Sequence, residues 1–215
     1  MQIAIIGAGN VGRALATSLT RAGHDVTITA EHAENATEAA TQTGATAGTS
    51  NASAAAGAQV IVLAVPAQSI RQIAGAMGSS LDGKVVIDVS NRPTPSPDGS
   101  ATSIAEELQG QIPAAHVVKA FNTAFASRQA NAQVNGIAAD GFVAGDNAAA
   151  KQTVLDVVES VGFRPVDAGS LASARTLEGM AWLNIQRNLA GGTWQDAWVL
   201  VGPETVSATL ADSRN

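Results

Sequence analysis

The chain has no cysteine, no tyrosine and only three histidines among its 215 residues. Without thiols, disulfides, iron–sulfur clusters and thiolate–zinc sites are excluded. His24, His32 and His116 show no metal-ligand spacing, so no metal site is expected. Charge is sparse at 14% of residues, and its balance is acidic, with a formal net charge of −6. The basic residues are scattered and form no run, which argues against a nucleic-acid groove and against an anionic membrane surface. No apolar run is long enough to span a bilayer; the most apolar, Val60 to Pro66, falls far short. No secretory leader pattern precedes the first strand, which begins at Gln2. These absences together set the expectation of a cytoplasmic protein without nucleic-acid or membrane partners.

What is present is a compact globular composition, 46% hydrophobic and rich in alanine and glycine. Short apolar runs alternate with helical patterns. Ile3–Ile6, Val26–Thr29, Val60–Ala64, Val85–Val89 and His116–Ala120 read as strands with no polar face. Between them, Val11, Leu15, Leu19 and Ala22 mark one helix face, and Ile70, Ile73, Ala74 and Met77 another. Strands that are apolar on both sides require cover on both sides, so the spacing predicts a Rossmann-type doubly wound α/β fold, a parallel sheet with helices on both faces. Further on come Gly141–Gly145, a helix carrying Val154, Val157, Val158 and Val161, and a strand near Arg164. From Ala172 to about Leu189 a helical stretch is apolar nearly all round, which predicts a helix buried in the protein or against a second subunit. The division expected is a dinucleotide-binding domain over 1–170 and a small C-terminal helical appendage over 171–215. That appendage, with the tryptophan-bearing segment Trp194–Val201, is expected at a homodimer interface, with capping of the chain's own sheet as the alternative.

The motif that carries chemistry is Gly7-Ala8-Gly9-Asn10-Val11-Gly12, which follows a strand directly and opens a helix. In this pattern the first glycine permits the tight turn, the second lets the backbone approach a pyrophosphate, and the third allows close helix–strand packing. A nicotinamide dinucleotide, NADP or NAD, is therefore expected on the first helix. The second strand ends at Thr29, so Ala30, Glu31 and His32 are placed at the adenosine ribose. Ala30 has no carboxylate for the ribose hydroxyls, Glu31 would repel a 2′-phosphate, and His32 offers partial compensation; the choice of dinucleotide stays open. Ligand positions also follow from topology, since strand C-terminal ends face the crevice. These ends are Ala64-Val65-Pro66, Ser90-Asn91-Arg92 and Ala120-Phe121-Asn122-Thr123; Val65 and Pro66 are candidates for an apolar floor, and Asn122 and Thr123 for hydrogen bonds to a carboxamide or second substrate. Lys119 and Arg92 are cations near these ends, read first as ion-pair anchors and second, for Lys119, as a proton donor. The loop Ser90–Ser100, with Pro93, Pro95 and Pro97, either borders the crevice or is a stiff surface loop.

Three later segments extend the pattern: Val117–Thr123, Phe142–Asn147, and Gly162–Leu171 followed by Ala174, Arg175 and Glu178. With the glycine loop, their order resembles the deazaflavin (coenzyme F420)-dependent NADP oxidoreductases, and it is similar to the oxidoreductase domains of ferric reductases. The resemblance spans nearly the whole chain. It implies hydride transfer between a nicotinamide and a deazaflavin, flavin or similar acceptor. Family members that use NADP tend to carry Ser-Arg where Ala30-Glu31 stands and Lys at Asn35, and deazaflavin users tend to have His at Asn122.

The leading expectation is thus an NAD(P)-dependent oxidoreductase whose partner is a small redox substrate. Its cofactor-binding residues carry the site, and no side chain is assigned as catalytic. Transfer between two rings needs stacking and a short donor–acceptor distance, with no protein acid or base. The alternatives are a reductase of a small imine or ketone, and a nicotinamide-binding sensor without turnover.

Overall fold

The computed structural model describes residues 1–92 and 101–202, so the loop prolines Pro93, Pro95 and Pro97 and the last part of the expected appendage lie outside it. The strands are β1 (Gln2–Ile6), β2 (Asp25–Thr29), β3 (Thr46–Ala47), β4 (Val60–Leu63), β5 (Val85–Asp88), β6 (His116–Lys119), β7 (Gln133–Val134), β8 (Ile137–Ala138), β9 (Asp140–Gly145) and β10 (Arg164–Asp167). The helices are α1 (Asn10–Arg21), α2 (Ala33–Thr43), α3 (Asn51–Gly57), α4 (Ala67–Met77), α5 (Ile104–Gln111), α6 (Ala126–Ala130), α7 (Ala148–Ser160) and α8 (Ala174–Leu189). Eight strands form one sheet in the order β10-β9-β6-β5-β4-β1-β2-β3, while β7 and β8 make a separate hairpin.

Alternation along each strand sends its side chains to two cores. Ile3 and Ile5 of β1 belong to the core that also holds Leu15 and Leu19 of α1 and the valines of α7, whereas Ala4 and Ile6 belong to the core that holds Ile70 of α4 and Leu108 of α5. Leu15 and Leu19 stand four residues apart, so both fall on the one helical stripe that meets the sheet. Each such side chain, fully buried, contributes roughly 1.5–3 kcal/mol. The doubly wound parallel architecture read from the sequence holds for β1 to β6.

Two features differ from that reading. First, β9 pairs antiparallel to β6, and β10 runs parallel to β9. The link from β6 passes through short α6 and the β7–β8 hairpin instead of a long crossover helix, so the chain re-enters the sheet running back. Second, α8 is not buried all round. Its inward stripe is Ala174, Leu177, Glu178, Ala181, Asn184 and Asn188, while Leu183 and Leu189 are 53% and 67% exposed. Three polar residues occupy the buried stripe because they serve interior hydrogen bonds, so apolar composition did not mark the buried face.

The segment after α8 folds back on its own sheet. The Asp140 amide donates to the Trp198 carbonyl at 2.8 Å, and the Leu200 carbonyl accepts from Arg164 at 2.6 Å. Arg164 in turn forks onto Asp140 at 2.5 and 2.9 Å. The capping alternative therefore describes this stretch, and its large apolar side chains still leave Leu200 and Val201 exposed.

Helix α5 opens on a capping box, Ser103 with Glu106, and Glu106 also receives Arg175 of α8 at 2.8 and 2.6 Å. The Arg175 guanidinium, with the Ser103 hydrogen bonds, holds the Glu106 carboxyl down from 4.5 to about 2, against a smaller opposing effect of burial. A depressed carboxyl stabilises the fold above its unfolded value and loses that contribution as pH falls through its folded one. Acid denaturation of the wild type is expected to steepen between pH 4.5 and about 2. Glu106→Gln should flatten that limb while leaving stability less pH-dependent, as followed by thermal melts across the range; an unchanged limb would remove Glu106 from the account.

Candidate functional site

The crevice is built where the sheet order reverses, between β1 and β4. Gly7 ends β1 with φ +112°, its amide bonded to the Thr29 carbonyl at 3.0 Å. A Cβ added there would stand 2.3 Å from the Ala64 carbonyl oxygen, and one added at Gly12 would stand 1.9 Å from the Gly7 oxygen. Three backbone segments therefore meet at contact distances only glycine allows. Gly9 is different: an added Cβ meets nothing within 4 Å. It caps α1, whose first-turn amides have no intrahelical partner and whose first turn carries no acidic residue. That is an open, electropositive cradle of the kind that receives a pyrophosphate.

Three cavities lie at the strand ends. One of about 300 Å³ lies beside Gly7, Ala30, Glu31, Asn51, Ser69 and Gln72. A second, of about 370 Å³, runs past Gly9, Asn10, Val11, Ala64, Val65 and Pro66 and reaches Val89, Ser90 and Asn91. A third, of about 200 Å³, shares Val11, Val89 and Asn91 with the second and extends to Asn122, Thr123, Gln129 and Trp194. In their order along the strand ends they are candidates for an adenosine, a pyrophosphate with its nicotinamide, and a second ligand.

Not every residue singled out from the sequence lines this crevice. Gly7, Gly9, Asn10, Val11, Ala30, Glu31, Ala64, Val65, Pro66, Asn122 and Thr123 do. Ala8 contributes its carbonyl to Arg13 instead, Gly12 is buried against Gly7, His32 is exposed at the N-cap of α2, and Ala120 is fully buried. Sequence reasoning missed Arg13, whose Nε bonds the Ala8 carbonyl at 2.9 Å while its Nη atoms reach Gln42 at 2.5 Å and Glu38 at 3.3 Å. It stiffens the glycine loop from α2. It also missed Asn51, Gln129 and Trp194, which come from distant segments and carry no local motif.

Lys119 is fully buried and does not reach the crevice as a donor. Its Nζ bonds Asp88 at 2.9 Å, Glu178 at 2.9 Å and the Ser90 carbonyl at 2.6 Å. Three partners saturate the ammonium, so the proton-donor alternative read from the sequence is corrected. Arg92 is likewise engaged, by the Thr102 carbonyl and Glu107. Beyond Lys119 the chain turns sharply: Phe121 sits at φ +60°, a strained conformation for an aromatic residue. The strain is held by Gln129, which donates to the Phe121 carbonyl at 3.0 Å, and by the edge-on Phe163 ring. This turn delivers Asn122 and Thr123 to the crevice. Among the described residues no group of three or more His, Asp or Glu side chains is arranged for a metal, and no helix is long and apolar enough to cross a membrane.

The model of the coenzyme F420-dependent NADP oxidoreductase family matches residues 2–92. Over 210 residues the chain is 30% identical to the F420-dependent NADP reductase of Methanothermobacter marburgensis, covering 88% of this chain and 93% of that protein. The chain belongs to this oxidoreductase family. It is also 32% identical over 191 residues to the metalloreductase STEAP3 of Rattus norvegicus, which covers 82% of this chain but only 36% of that longer protein. Among solved structures, a protein from Arthrobacter sp. FB24 described as a candidate F420-dependent NADP reductase superimposes with a TM-score of 0.83 at 29% identity. That superposition covers 94% of this chain and all of the other.

The candidate adenosine end of the crevice is acidic. Glu31 is the charged side chain on that cavity, and the nearby guanidinium of Arg13 is engaged with Ala8, Gln42 and Glu38. A 2′-phosphate there meets a carboxylate, whereas ribose hydroxyls meet an acceptor. Glu31→Arg is expected to raise affinity for NADPH relative to NADH by about tenfold, near 1.4 kcal/mol. Titration of both dinucleotides on both proteins measures it, and an unmoved ratio would show that Glu31 does not read the ribose.

Proposed function

We propose that the protein transfers a hydride between a nicotinamide dinucleotide, NADP or NAD, and a deazaflavin such as coenzyme F420, a flavin or a similar planar acceptor. The observation that carries this reading is the pair of cavities that share Val11, Val89 and Asn91, one against Gly9 and the other reaching Trp194, the latter with no charged side chain in its lining. When bound, the nicotinamide supplies or receives the hydride, and its ring partner does the reverse. The chain's own part is to hold two rings face to face and keep water out. Gly9 and the first amides of α1 fit the pyrophosphate. Val65 and Pro66 fit one wall of the nicotinamide subsite, and Val11 and Val89 are shared by that subsite and the next. Proton chemistry is not asked of any side chain, which agrees with an ammonium at Lys119 already saturated by three partners. The same saturation weighs against reduction of an imine or ketone, which needs a proton donor.

The proposal includes a cytoplasmic location, where reduced nicotinamide dinucleotides are maintained, and a homodimer. The exposed Leu183 and Leu189 on the outer side of α8 support pairing through that helix. It further treats 1–170 as the dinucleotide-binding unit and the residues from 171 as a segment completing the acceptor site, since Ala181, Ile185 and Trp194 line that cavity.

Two measurements check these readings. Oxidation of NADPH and NADH should be followed by the loss of reduced-nicotinamide absorbance with deazaflavin, flavin, quinone and ferric-chelate acceptors. Turnover is expected with the planar ring acceptors, and tight dinucleotide binding with no turnover on any acceptor would favour a sensor. Light scattering at micromolar concentration is expected to give twice the chain mass, and a monomer mass would remove the α8 pairing.

A further inference from the structure

The buried charges at the end of β6 do not balance. Lys119 and Asp88 are fully buried and Glu178 is 5% exposed, and both carboxylates bond the one ammonium at 2.9 Å. Two carboxylates and one ammonium sum to a formal charge of −1. The cations nearby in the chain do not cancel it, because Arg175 on α8 is committed to Glu106 and Arg92 beyond β5 to Glu107. Neutral backbone donors complete the carboxylates instead, the Ser90 amide on Asp88 at 2.9 Å and the Ile104 amide on Glu178 at 3.0 Å.

This excess charge lies directly behind the crevice. Ser90 gives its amide to Asp88 and its carbonyl to Lys119, and the same residue lines the cavity assigned to the pyrophosphate and nicotinamide. Glu178 and Ala181 are three residues apart on the buried stripe of α8, and Ala181 lines the neighbouring cavity that reaches Trp194. Among the described residues neither cavity has a charged side chain in its lining, so nothing on the walls masks the charge behind them. Val89 and Ser90, which stand between, are each 7% exposed, and a buried wall screens far less than water does.

We infer that this buried excess charge makes the site discriminate between redox forms of the dinucleotide, holding the oxidised nicotinamide in preference to the reduced one, with Glu178 as the specificity-determining residue. The inference rests on the hydride-transfer reading above and adds the sign of the field in which the transfer takes place. An oxidised nicotinamide ring carries a positive charge and a reduced ring carries none, whereas adenosine, riboses and phosphates are the same in both. A negative charge behind an uncharged wall therefore attracts one form and not the other. By linkage, tighter holding of the oxidised form lowers the reduction potential of the bound couple, and the bound reduced form becomes a stronger hydride donor. Each tenfold of preference is about 30 mV for a two-electron couple.

Calorimetric titration reads this without turnover. Oxidised and reduced forms of NAD and of NADP, and ADP-ribose with and without its 2′-phosphate as ligands lacking the nicotinamide, should be titrated into wild type, Glu178→Gln and Glu178→Asp. Wild type is expected to hold the oxidised form more tightly than the reduced. Glu178→Gln should lower that preference by about tenfold while ADP-ribose affinity stays level, and Glu178→Asp, which keeps the charge, should keep the preference. An unmoved preference in Glu178→Gln, with or without a loss of ADP-ribose binding, makes Glu178 a structural prop only and overturns the inference. Should Glu178→Gln fail to fold, the wild-type order decides: a reduced form bound more tightly than the oxidised one overturns it. Either result leaves hydride transfer standing on its turnover, whereas absence of binding by every dinucleotide defeats the hydride reading and this inference with it.

Discussion

A single buried ammonium holds the architecture of the crevice together. Lys119 lies at the C-terminal end of β6 and gathers Asp88 from β5, the Ser90 carbonyl from the loop beyond it, and Glu178 from α8. Charges this deep persist only when every partner is supplied, since desolvation otherwise outweighs their attraction. The partners are themselves completed by backbone donors, the Ser90 amide on Asp88 at 2.9 Å and the Ile104 amide on Glu178 at 3.0 Å. The start of α5, the middle of α8 and two central strands are thereby fixed to one point. From that point α8 rises one and two turns to Ala181 and Ile185, which wall the cavity proposed for the acceptor. The anchor is structural, yet the shape of that cavity follows from it.

How much of this is legible in the sequence depends on distance along the chain. The glycine loop is local: strand, turn and helix succeed one another within about twenty residues, and steric need alone identifies Gly7 and Gly12. The five apolar strands are equally local, because burial on both faces leaves its mark in composition. The acceptor site is not. Gln129 contacts Phe121 through a strained turn, Asn91 meets Asn122 across two strands, and Trp194 arrives from beyond α8. None of these pairings has a spacing rule, so no periodicity could have announced them. Lys119 is the intermediate case. Its place at a strand end was readable, but its saturation by Asp88 and Glu178 required the fold.

Helix α8 shows why apolar content is a poor guide to orientation when a helix has chemistry to do. Glu178 faces inward for Lys119, and Asn184 and Asn188 face inward to tie the helix end to the segment carrying Trp194. Leucines are left on the opposite side. Such an inversion costs burial on the outside, and it is intelligible if that outer side has a covering partner and the inner side a ligand to frame. Arg175, one turn before Glu178, secures the same helix to the cap of α5 through Glu106.

The reversal of β9 against β6 also divides the surface by tolerance. Loops after β1, β4, β5 and β6 open on the crevice, whereas the turns at Gly145–Asn147 and Gly169 fall at the other end of the sheet. Those two turns lie together, with the Gly145 amide bonded to the Gly169 carbonyl at 3.1 Å and Lys151 bridging to the same carbonyl at 3.2 Å. They form a small, self-contained corner that no ligand needs to pass. A reporter or tether attached there would report on the protein while leaving the path of the rings undisturbed.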